Sequence, residues 1–237
     1  MRALPELPAE QRAALRARSG FGCVRCGVTI YSYLALPDLG EGRSPKAGEG
    51  DATLLCPACH TLVETGRLSP AQVHGFHASP IARQRNFSRD RMPFYNETPD
   101  LMIGGSRPVR DTPVPIAVDG DPLLMFTPPR SGVGAVRISV RLGDPDGVPV
   151  QVVDANEWLI ADGSWSFAQR GDRYLFVASR GDGLAVLRIV SRGKIAVEHL
   201  RTRIGDQRIE ATVDWVEVNG QRMVDRVVSG TLIGLEV

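Results

Sequence analysis

Two different hydrophobic patterns divide this chain. After Pro99, apolar and polar side chains alternate in several stretches, which is the spacing of half-buried β-strands. The alternation is clearest in residues 136–142, Val-Arg-Ile-Ser-Val-Arg-Leu, and in residues 209–215, Ile-Glu-Ala-Thr-Val-Asp-Trp. Before Pro99 the apolar segments are short and of mixed type. The pattern therefore predicts a β-rich C-terminal domain and an N-terminal region of a different construction.

Turn signals support antiparallel strands in the C-terminal region. Glycine-containing pairs recur there at intervals of about ten residues. They are Asp146-Gly147, Gly171-Asp172, Asp182-Gly183, Arg192-Gly193, Gly205-Asp206, Asn219-Gly220 and Ser229-Gly230. Asn219-Gly220 and Asp182-Gly183 predict tight hairpins, because both residue types tolerate positive φ. We expect an antiparallel sandwich or meander. A β-solenoid is the alternative, although no fixed repeat length supports it.

The N-terminal region reads as short helices around a two-stranded unit. Helix-forming residues between Pro8 and Gly20 predict a first helix. Residues 29–36 are rich in β-branched and aromatic side chains and predict a strand, and residues 52–55 predict its short return strand. A helix is expected from His60 to Gly66, and another begins with Ser69 as N-cap and Pro70 in its first turn.

The chain's four cysteines form two Cys-x-x-Cys pairs, Cys23 with Cys26 and Cys56 with Cys59, separated by 29 residues. Two such knuckles brought together supply the four thiolates that Zn²⁺ binds tetrahedrally. Disulfides fit less well, because the sequence begins with no apolar secretory leader. A thioredoxin-like redox pair also fits poorly, because neither pair lies in a repeated strand-helix pattern. We predict a structural zinc site.

These motifs resemble a known family. The order is a helix, Gly-Phe-Gly-Cys-x-x-Cys-Gly, a strand with Tyr31-Ser32-Tyr33, a loop, Leu-Leu-Cys-x-x-Cys-His and a helix. It resembles the HNH endonucleases, and more narrowly their zinc-stapled type with two Cys-x-x-Cys pairs. The resemblance covers about residues 8 to 80. It implies a small zinc-bound ββα module, treble-clef-like, with DNA as the partner of the family.

The family's catalytic positions are poorly matched. In HNH proteins the first strand ends in a His-His or Asp-His pair that supplies the general base, and here those positions are Leu34 and Ala35. The position of the family's central Asn is Asp51, and His60 matches the last histidine. Asp51 and His60 are therefore the remnant catalytic candidates, able to hold Mg²⁺ or Mn²⁺ if nuclease activity persists. Without a base on the strand, we predict a degenerate module.

Two further histidines, His74 and His77, lie three residues apart in the helix that follows Ser69. That spacing can place two metal ligands on one helical face. The favoured interpretation is a partly exposed polar face of the helix, with Phe76 packed on the other side.

Charge makes the N-terminal region the candidate for nucleic-acid contact. The first 91 residues contain 12 Lys/Arg and 8 Asp/Glu, and the remainder contains 16 and 19. Arg12 and Arg16 share a helical face, and Arg83, Arg85 and Arg89 alternate with polar and aromatic residues. Cations for phosphate and rings for stacking are what nucleic-acid binding requires. A solvated helix face and a linker packed on a domain are the competing explanations.

The predicted organisation is an HNH-like zinc module over residues 1–82, a basic and aromatic linker over 83–99, and a β-rich domain over 100–237. The fold class is α+β, mostly β. We expect a zinc-stabilised nucleic-acid-binding or protein-assembly module. The alternatives are an active metal-dependent endonuclease and a purely structural self-assembling protein. No apolar run approaches the roughly 18 residues of a membrane span, so we expect a cytoplasmic protein without a membrane partner.

Overall fold

The computed structural model describes residues 7–36, 52–85, 99–128, 136–160, 164–191 and 193–237. The chain divides into two compact units, Met1–Arg91 and Met92–Val237, called here the N-terminal and C-terminal units. The architecture is mostly β with antiparallel sheets and a few helices, as the sequence predicts. Within the described ranges, no helix combines the length and apolar character needed to cross a membrane.

The described residues of the N-terminal unit, 7–36 and 52–85, form four helices and one hairpin. The elements in chain order are α1 (Ala9–Arg18), β1 (Ser32–Ala35), β2 (Ala52–Leu55), α2 (Pro57–Glu64), α3 (Pro70–Ala78) and α4 (Ile81–Arg85). Strands β1 and β2 pair antiparallel, with Ser32 opposite Leu55 and Ala35 opposite Ala52. Helix α2 begins three residues earlier than the sequence predicts, because Cys56 serves as its N-cap and Pro57 occupies its first turn.

One face of the hairpin packs against α1. The buried cluster there contains Leu7, Leu15, Tyr31, Tyr33, Ala52 and Leu54. The rings of Tyr31 and Tyr33 meet edge to face, with centroids 5.9 Å apart and an interplanar angle of 81°. Aromatic pairs favour this arrangement because the positive ring edge meets the negative ring face. The unit also buries Val24, Val28, Ile30, Leu55, Leu68 and Val73, so its apolar core extends beyond this cluster. A unit of this size still buries a smaller share of its surface than a larger one does.

Helix α3 begins at the predicted cap. The Ser69 side chain accepts a hydrogen bond from the Gln72 backbone N–H at 3.3 Å, and the Gln72 side chain accepts one from the Ser69 backbone N–H at 2.9 Å. This reciprocal capping box pairs two backbone donors that a helix start leaves without partners. The prediction of Ser69 as N-cap and Pro70 in the first turn is confirmed.

The C-terminal unit is built from strands. They are β3 (Asp100–Met102), β4 (Ala117–Val118), β5 (Asp121–Pro122), β6 (Leu124–Thr127), β7 (Arg137–Gly143), β8 (Pro149–Asp154), β9 (Glu157–Trp158), β10 (Trp165–Arg170), β11 (Arg173–Ala178), β12 (Leu184–Ser191), β13 (Lys194–Ile204), β14 (Gln207–Ala211), β15 (Val216–Val218) and β16 (Gln221–Met223). Strands β10 to β16 form one sheet in chain order, with β3 added parallel to β13. Strands β6 to β9 form a second antiparallel sheet. Consecutive antiparallel pairing is a meander, whereas a solenoid would stack parallel rungs.

Aromatic side chains fill the core of the C-terminal unit. Tyr174 and Phe176 of β11 are fully buried, and the Phe167 ring of β10 lies 5.5 Å from that of Phe176. Trp158 of β9 stacks 6.4 Å from Phe176. The backbone N–H of Gly143 in β7 donates to the Thr202 hydroxyl of β13 at 2.7 Å. The eight-stranded and four-stranded sheets of this unit therefore share one core.

The two predicted hairpin turns differ in outcome. Asn219 and Gly220 have φ of 51° and 82°, as the prediction requires. At Asp182-Gly183 the positive φ instead falls on Gly181, at 82°. A Cβ on Gly183 would lie 2.2 Å from the Trp165 ring, so this glycine is required for close packing rather than for the turn.

Candidate metal centre

The first knuckle is a tight turn that is flanked by two glycines, Gly22 and Gly27. The Cys23 N–H donates to the Val28 carbonyl at 2.8 Å, and the Gly27 N–H donates to the Cys23 carbonyl at 2.8 Å. Gly27 has φ of 78°, a conformation that favours glycine. A Cβ on Gly22 would lie 2.8 Å from the Val28 carbonyl oxygen. The glycines on both sides of the pair therefore let the chain present Cys23 and Cys26 together.

The second knuckle is the start of α2. The Cys56 sulfur accepts a hydrogen bond from the Cys59 backbone N–H at 3.4 Å, in the manner of a side-chain N-cap. The His60 N–H donates to the Cys56 carbonyl at 2.9 Å, so the helix begins within the motif. The positive end of a helix dipole favours thiolate over thiol. The sequence Cys-Pro-Ala-Cys-His thus supplies both ligands and the helix start.

The two knuckles bring all four sulfurs together. The Sγ atoms of Cys23, Cys26, Cys56 and Cys59 lie within 4.8 Å of one another. Cys26 Sγ is 3.7 Å from Cys56 Sγ and 3.8 Å from Cys59 Sγ. A tetrahedral Zn²⁺ with Zn–S bonds of about 2.3 Å places its sulfurs about 3.8 Å apart, whereas a disulfide joins them at about 2.05 Å. All four cysteines are free, and their spacing fits a tetrahedral metal ion such as zinc.

The four sulfurs are largely shielded from solvent, and the pKa values of their thiols are shifted in opposite directions. Cys23, Cys56 and Cys59 are buried, and Cys26 is half-buried. Hydrogen bonds from Cys23, Cys26 and Cys56, followed by one from Arg25, hold the pKa of the Cys59 thiol well below its usual range. The same sharing, first with Cys23, raises the pKa of Cys56. A bound cation would take the place of the protons that these sulfurs share.

The two described strands of the hairpin, Ser32–Ala35 and Ala52–Leu55, carry no imidazole and no carboxylate. Leu34 and Ala35 lie on β1, opposite Thr53 and Ala52 of β2. None of these four residues can accept a proton from water at neutral pH or bind a divalent cation through a carboxylate or an imidazole. Asp51 lies outside the described residues.

His60 lies on α2, where its Nδ1 is 3.9 Å from a carboxylate oxygen of Glu64, one turn along the same helix. About a quarter of its side chain is exposed, 26%. Among the described residues, the four cysteines form the group of side chains that could hold a metal ion. His60 does not belong to that group.

The arginines predicted to contact nucleic acid have varied surroundings. Arg12 and Arg16 are half-buried on α1, and the Arg16 Nε donates to the Arg12 carbonyl at 3.2 Å. Arg83 donates from Nε and Nη2 to the Ala17 carbonyl, at 3.2 and 3.0 Å, near the end of α1. The side chain of Arg85 and the whole of Arg89 lie outside the described residues, as does most of the predicted linker. Arg83 thus has a structural contact that its sequence context did not indicate.

Two residues of the N-terminal unit have roles that the sequence analysis missed. Arg25 donates from Nη1 to Cys59 Sγ at 3.4 Å, linking the first knuckle to the second. His77 is 93% buried rather than part of an exposed polar face, since only 7% of it is accessible. Burial, followed by the charges of Arg18 and His74, lowers the pKa of His77 to about 4. An arginine inside a Cys-x-x-Cys knuckle is a signal that could have drawn attention to the first of these contacts.

Comparisons of the chain with protein-family models, with curated proteins and with solved structures returned no match. The functional assignment therefore depends on the sulfur geometry, on the side chains of the hairpin and on the charge of the N-terminal unit.

Proposed function

We propose that this chain is a zinc-stabilised, HNH-like protein that has lost the hydrolytic chemistry of the family and uses its N-terminal unit to bind nucleic acid. The observation that carries the proposal is the set of four sulfurs at tetrahedral spacing beside a hairpin that carries Leu34 and Ala35. The order of knuckle, hairpin and helix α2 is the order expected of the zinc-stapled HNH scaffold.

The zinc is proposed to be structural. Bound Zn²⁺ supplies a cross-link between the turn before β1 and the first turn of α2. Four protein ligands leave no open coordination position for water or substrate, which distinguishes a structural site from a catalytic one. The small apolar cluster around Leu15 and Tyr33 makes such a cross-link valuable for stability.

The loss of catalysis follows from what hydrolysis requires. A one-metal nuclease needs a base near the attacking water and a cation on the scissile phosphate. Leu34 and Ala35 offer no base, and the ionic contact of His60 is with Glu64 on its own helix. The scaffold is therefore proposed to persist without the reaction.

Nucleic-acid binding is supported by the charge of the N-terminal unit. Its described residues, 7–36 and 52–85, include seven arginines and two acidic residues, Glu10 and Glu64. A site of Zn²⁺ and four thiolates is dianionic, and the unit still retains an excess of positive charge. Arg18, in the last turn of α1, is exposed, as a phosphate contact requires.

Fluorescence anisotropy with labelled duplex and single-stranded DNA tests the binding proposal. We expect affinity to fall with salt, with a log-log slope of about 0.9 for each phosphate contact on duplex DNA. Replacing Arg16 and Arg18 together by Gln, which keeps good helix formers on α1, should weaken binding and reduce that slope. Arg222→Gln in the C-terminal unit is the matched control. Binding that ignores salt and the double substitution would overturn the proposal.

A plasmid cleavage assay with Mg²⁺ or Mn²⁺ tests the loss of hydrolysis. We expect the wild-type protein and His60→Ala to leave the plasmid equally intact. Metal-dependent cleavage by the wild-type protein that His60→Ala abolishes would establish the endonuclease alternative and contradict the degenerate module. Equal cleavage by both proteins would point to a contaminating nuclease, and repurification until it disappears then decides the question.

Protein assembly through the C-terminal unit is a second candidate, supported by a separate observation. The large apolar side chains that are exposed in the described ranges all lie in this unit: Val148, Leu159, Val177, Val190, Val224, Val228 and Leu232. Leu232 is 72% exposed. Light scattering after gel filtration should then show a concentration-dependent oligomer that Leu232→Ser weakens. A monomer at every concentration would exclude this candidate.

A further inference from the structure

The contact between Arg25 and Cys59 joins the two halves of the cysteine cluster. Arg25 lies between Cys23 and Cys26 in the chain, but its Nη1 donates to the sulfur of Cys59, 34 positions away and on the opposite knuckle. The arginine is half-buried, and Cys59 is 3% exposed. A planar guanidinium in this position can hold a direction toward sulfur that a mobile surface cation cannot.

We propose that Arg25 is a positioning residue of the metal site, whose charge-assisted N–H···S hydrogen bond to Cys59 sets how tightly zinc is held and how reactive that sulfur is. This inference rests on the proposed zinc site. The residue does not bind the metal. It acts through the Cys59 sulfur, as outer partners of metal ligands commonly do.

The physical reason is the charge of the occupied site. Zn²⁺ with four thiolates carries a net negative charge, and three of these sulfurs are buried, where an uncompensated charge is costly. The guanidinium remains protonated at all accessible pH values and lies against one of them. A backbone N–H serves Cys56 in a comparable way, since Cys59 N–H donates to Cys56 Sγ at 3.4 Å. Arg25 thus adds to Cys59 a donor that also carries charge.

The hydrogen bond also changes the electronic character of the sulfur. A donor withdraws electron density from a thiolate, which makes it a weaker nucleophile and lowers the energy of its lone-pair electrons. Cys59 should therefore react more slowly with alkylating agents in the wild-type protein than after loss of Arg25. The sulfur-to-metal charge-transfer band of a Co²⁺-substituted protein should report the same change, because its energy depends on those lone pairs.

The test uses the full chain in four forms: wild type, Arg25→Ala, Arg25→Lys and the control Arg67→Ala, which removes an exposed arginine of the same unit. Zinc content is measured first, then zinc affinity by chelator competition, then the Co²⁺ spectrum. We expect one metal ion per chain in every form. Arg25→Ala should lower affinity by about 10- to 100-fold, the usual effect of losing an outer partner. Its charge-transfer band should move to lower energy.

The remaining forms separate charge from simple packing. Arg25→Lys keeps a cationic donor and should lie between wild type and Arg25→Ala in affinity, while Arg67→Ala should match wild type. Equal affinity and an unshifted band in Arg25→Ala would overturn the role of Arg25. So would Arg25→Lys with affinity as low as that of Arg25→Ala. If Arg25→Ala does not fold, the Co²⁺ spectrum of Arg25→Lys is compared with that of the wild type instead. A charge-transfer band at lower energy supports the role of Arg25, and an unshifted band overturns it. Wild-type protein without metal would instead defeat the proposed function.

Discussion

The cores of the two units differ in size and in the secondary structure that builds them. The N-terminal unit has a two-stranded hairpin, helices of 5 to 10 residues and a core of Leu, Val, Ile, Tyr and Ala side chains. The C-terminal unit has an eight-stranded and a four-stranded sheet, with Tyr174 and Phe176 of the first and Phe126 of the second fully buried. Small units bury a smaller share of their surface and gain less from packing. From this comparison we propose that a metal ion at the four cysteines stabilises the first unit, whereas apolar burial stabilises the second.

The largest expected effect comes from breaking the metal site. Cys56→Ser removes one sulfur ligand but keeps a side-chain acceptor at the N-cap of α2, and we expect the N-terminal unit to unfold through loss of the metal site. Zinc contributes about 10–16 kcal/mol to the folding of small zinc units at pH 7, which exceeds the stability of most domains. Two-dimensional NMR spectra should lose the dispersed signals of residues 7–85 and keep those of residues 99–237. Intact signals from both units would show that the N-terminal unit folds without its complete set of sulfur ligands.

The converse experiment weakens the C-terminal core and leaves zinc in place. Phe176→Ala deletes a fully buried ring that packs on Phe167 and Trp158, and should cost about 3–5 kcal/mol. Chemical denaturation followed by tryptophan fluorescence measures the loss, because all three tryptophans lie in this unit. Val190→Ala, at a 37% exposed position of β12, is the control and should change stability by less than about 0.5 kcal/mol. A comparable loss in both variants would mean that the ring is not a core element.

A smaller effect is expected from acid acting on the N-terminal unit. The pKa of His77 is lowered to about 4 by burial, then by Arg18 and His74, against 6.5 for the unperturbed side chain. As pH falls below 6.5, His77 becomes protonated in the unfolded chain but stays neutral in the folded chain until the pH approaches 4. The free energy of unfolding should therefore decrease between about pH 6.5 and 4 and lose this dependence below that range.

His77→Leu tests this assignment, since it removes the titrating ring. With zinc in excess, hydrogen exchange of the N-terminal unit should depend less on pH in this variant than in the wild type. The titration of metal ligands is common to both proteins and cancels in the comparison. Identical pH profiles would rule out His77 as the source of the effect.

The smallest expected effect refines the comparison within the N-terminal unit. Ser69→Ala removes the side-chain acceptor at the start of α3 and should cost about 1 kcal/mol. Ser69→Asp keeps an acceptor and serves as the control. Zinc content should stay unchanged in both, since the cap lies outside the cysteine cluster. Hydrogen exchange of the first turn of α3 measures the effect, and equal protection in Ser69→Ala and the wild type would contradict it.

The sequence predicts the features that are encoded locally. The knuckle cysteines, the Ser69 cap and the Asn219-Gly220 turn each depend on neighbouring residues, and each appears where expected. The alternation along β7 also appears, except at Ser139, which is buried. Asp51, Arg89 and most of the predicted linker lie outside the described residues, so those predictions stay open.

The features that the sequence did not reveal are contacts over long separations. Arg25 reaches Cys59, Arg83 reaches the Ala17 carbonyl, and Trp165 requires a glycine at position 183. Side-chain type alone does not specify which distant group a side chain will meet, because that depends on tertiary packing. For the same reason His77 resembles an exposed polar residue in the sequence and is buried in the fold.

X-ray absorption at the zinc edge of the purified full-length chain tests the central claim most directly. The account predicts one zinc ion per chain with a single shell of four sulfurs at about 2.3 Å. A shell that includes nitrogen or oxygen ligands, or a folded protein with no zinc at all, would contradict it.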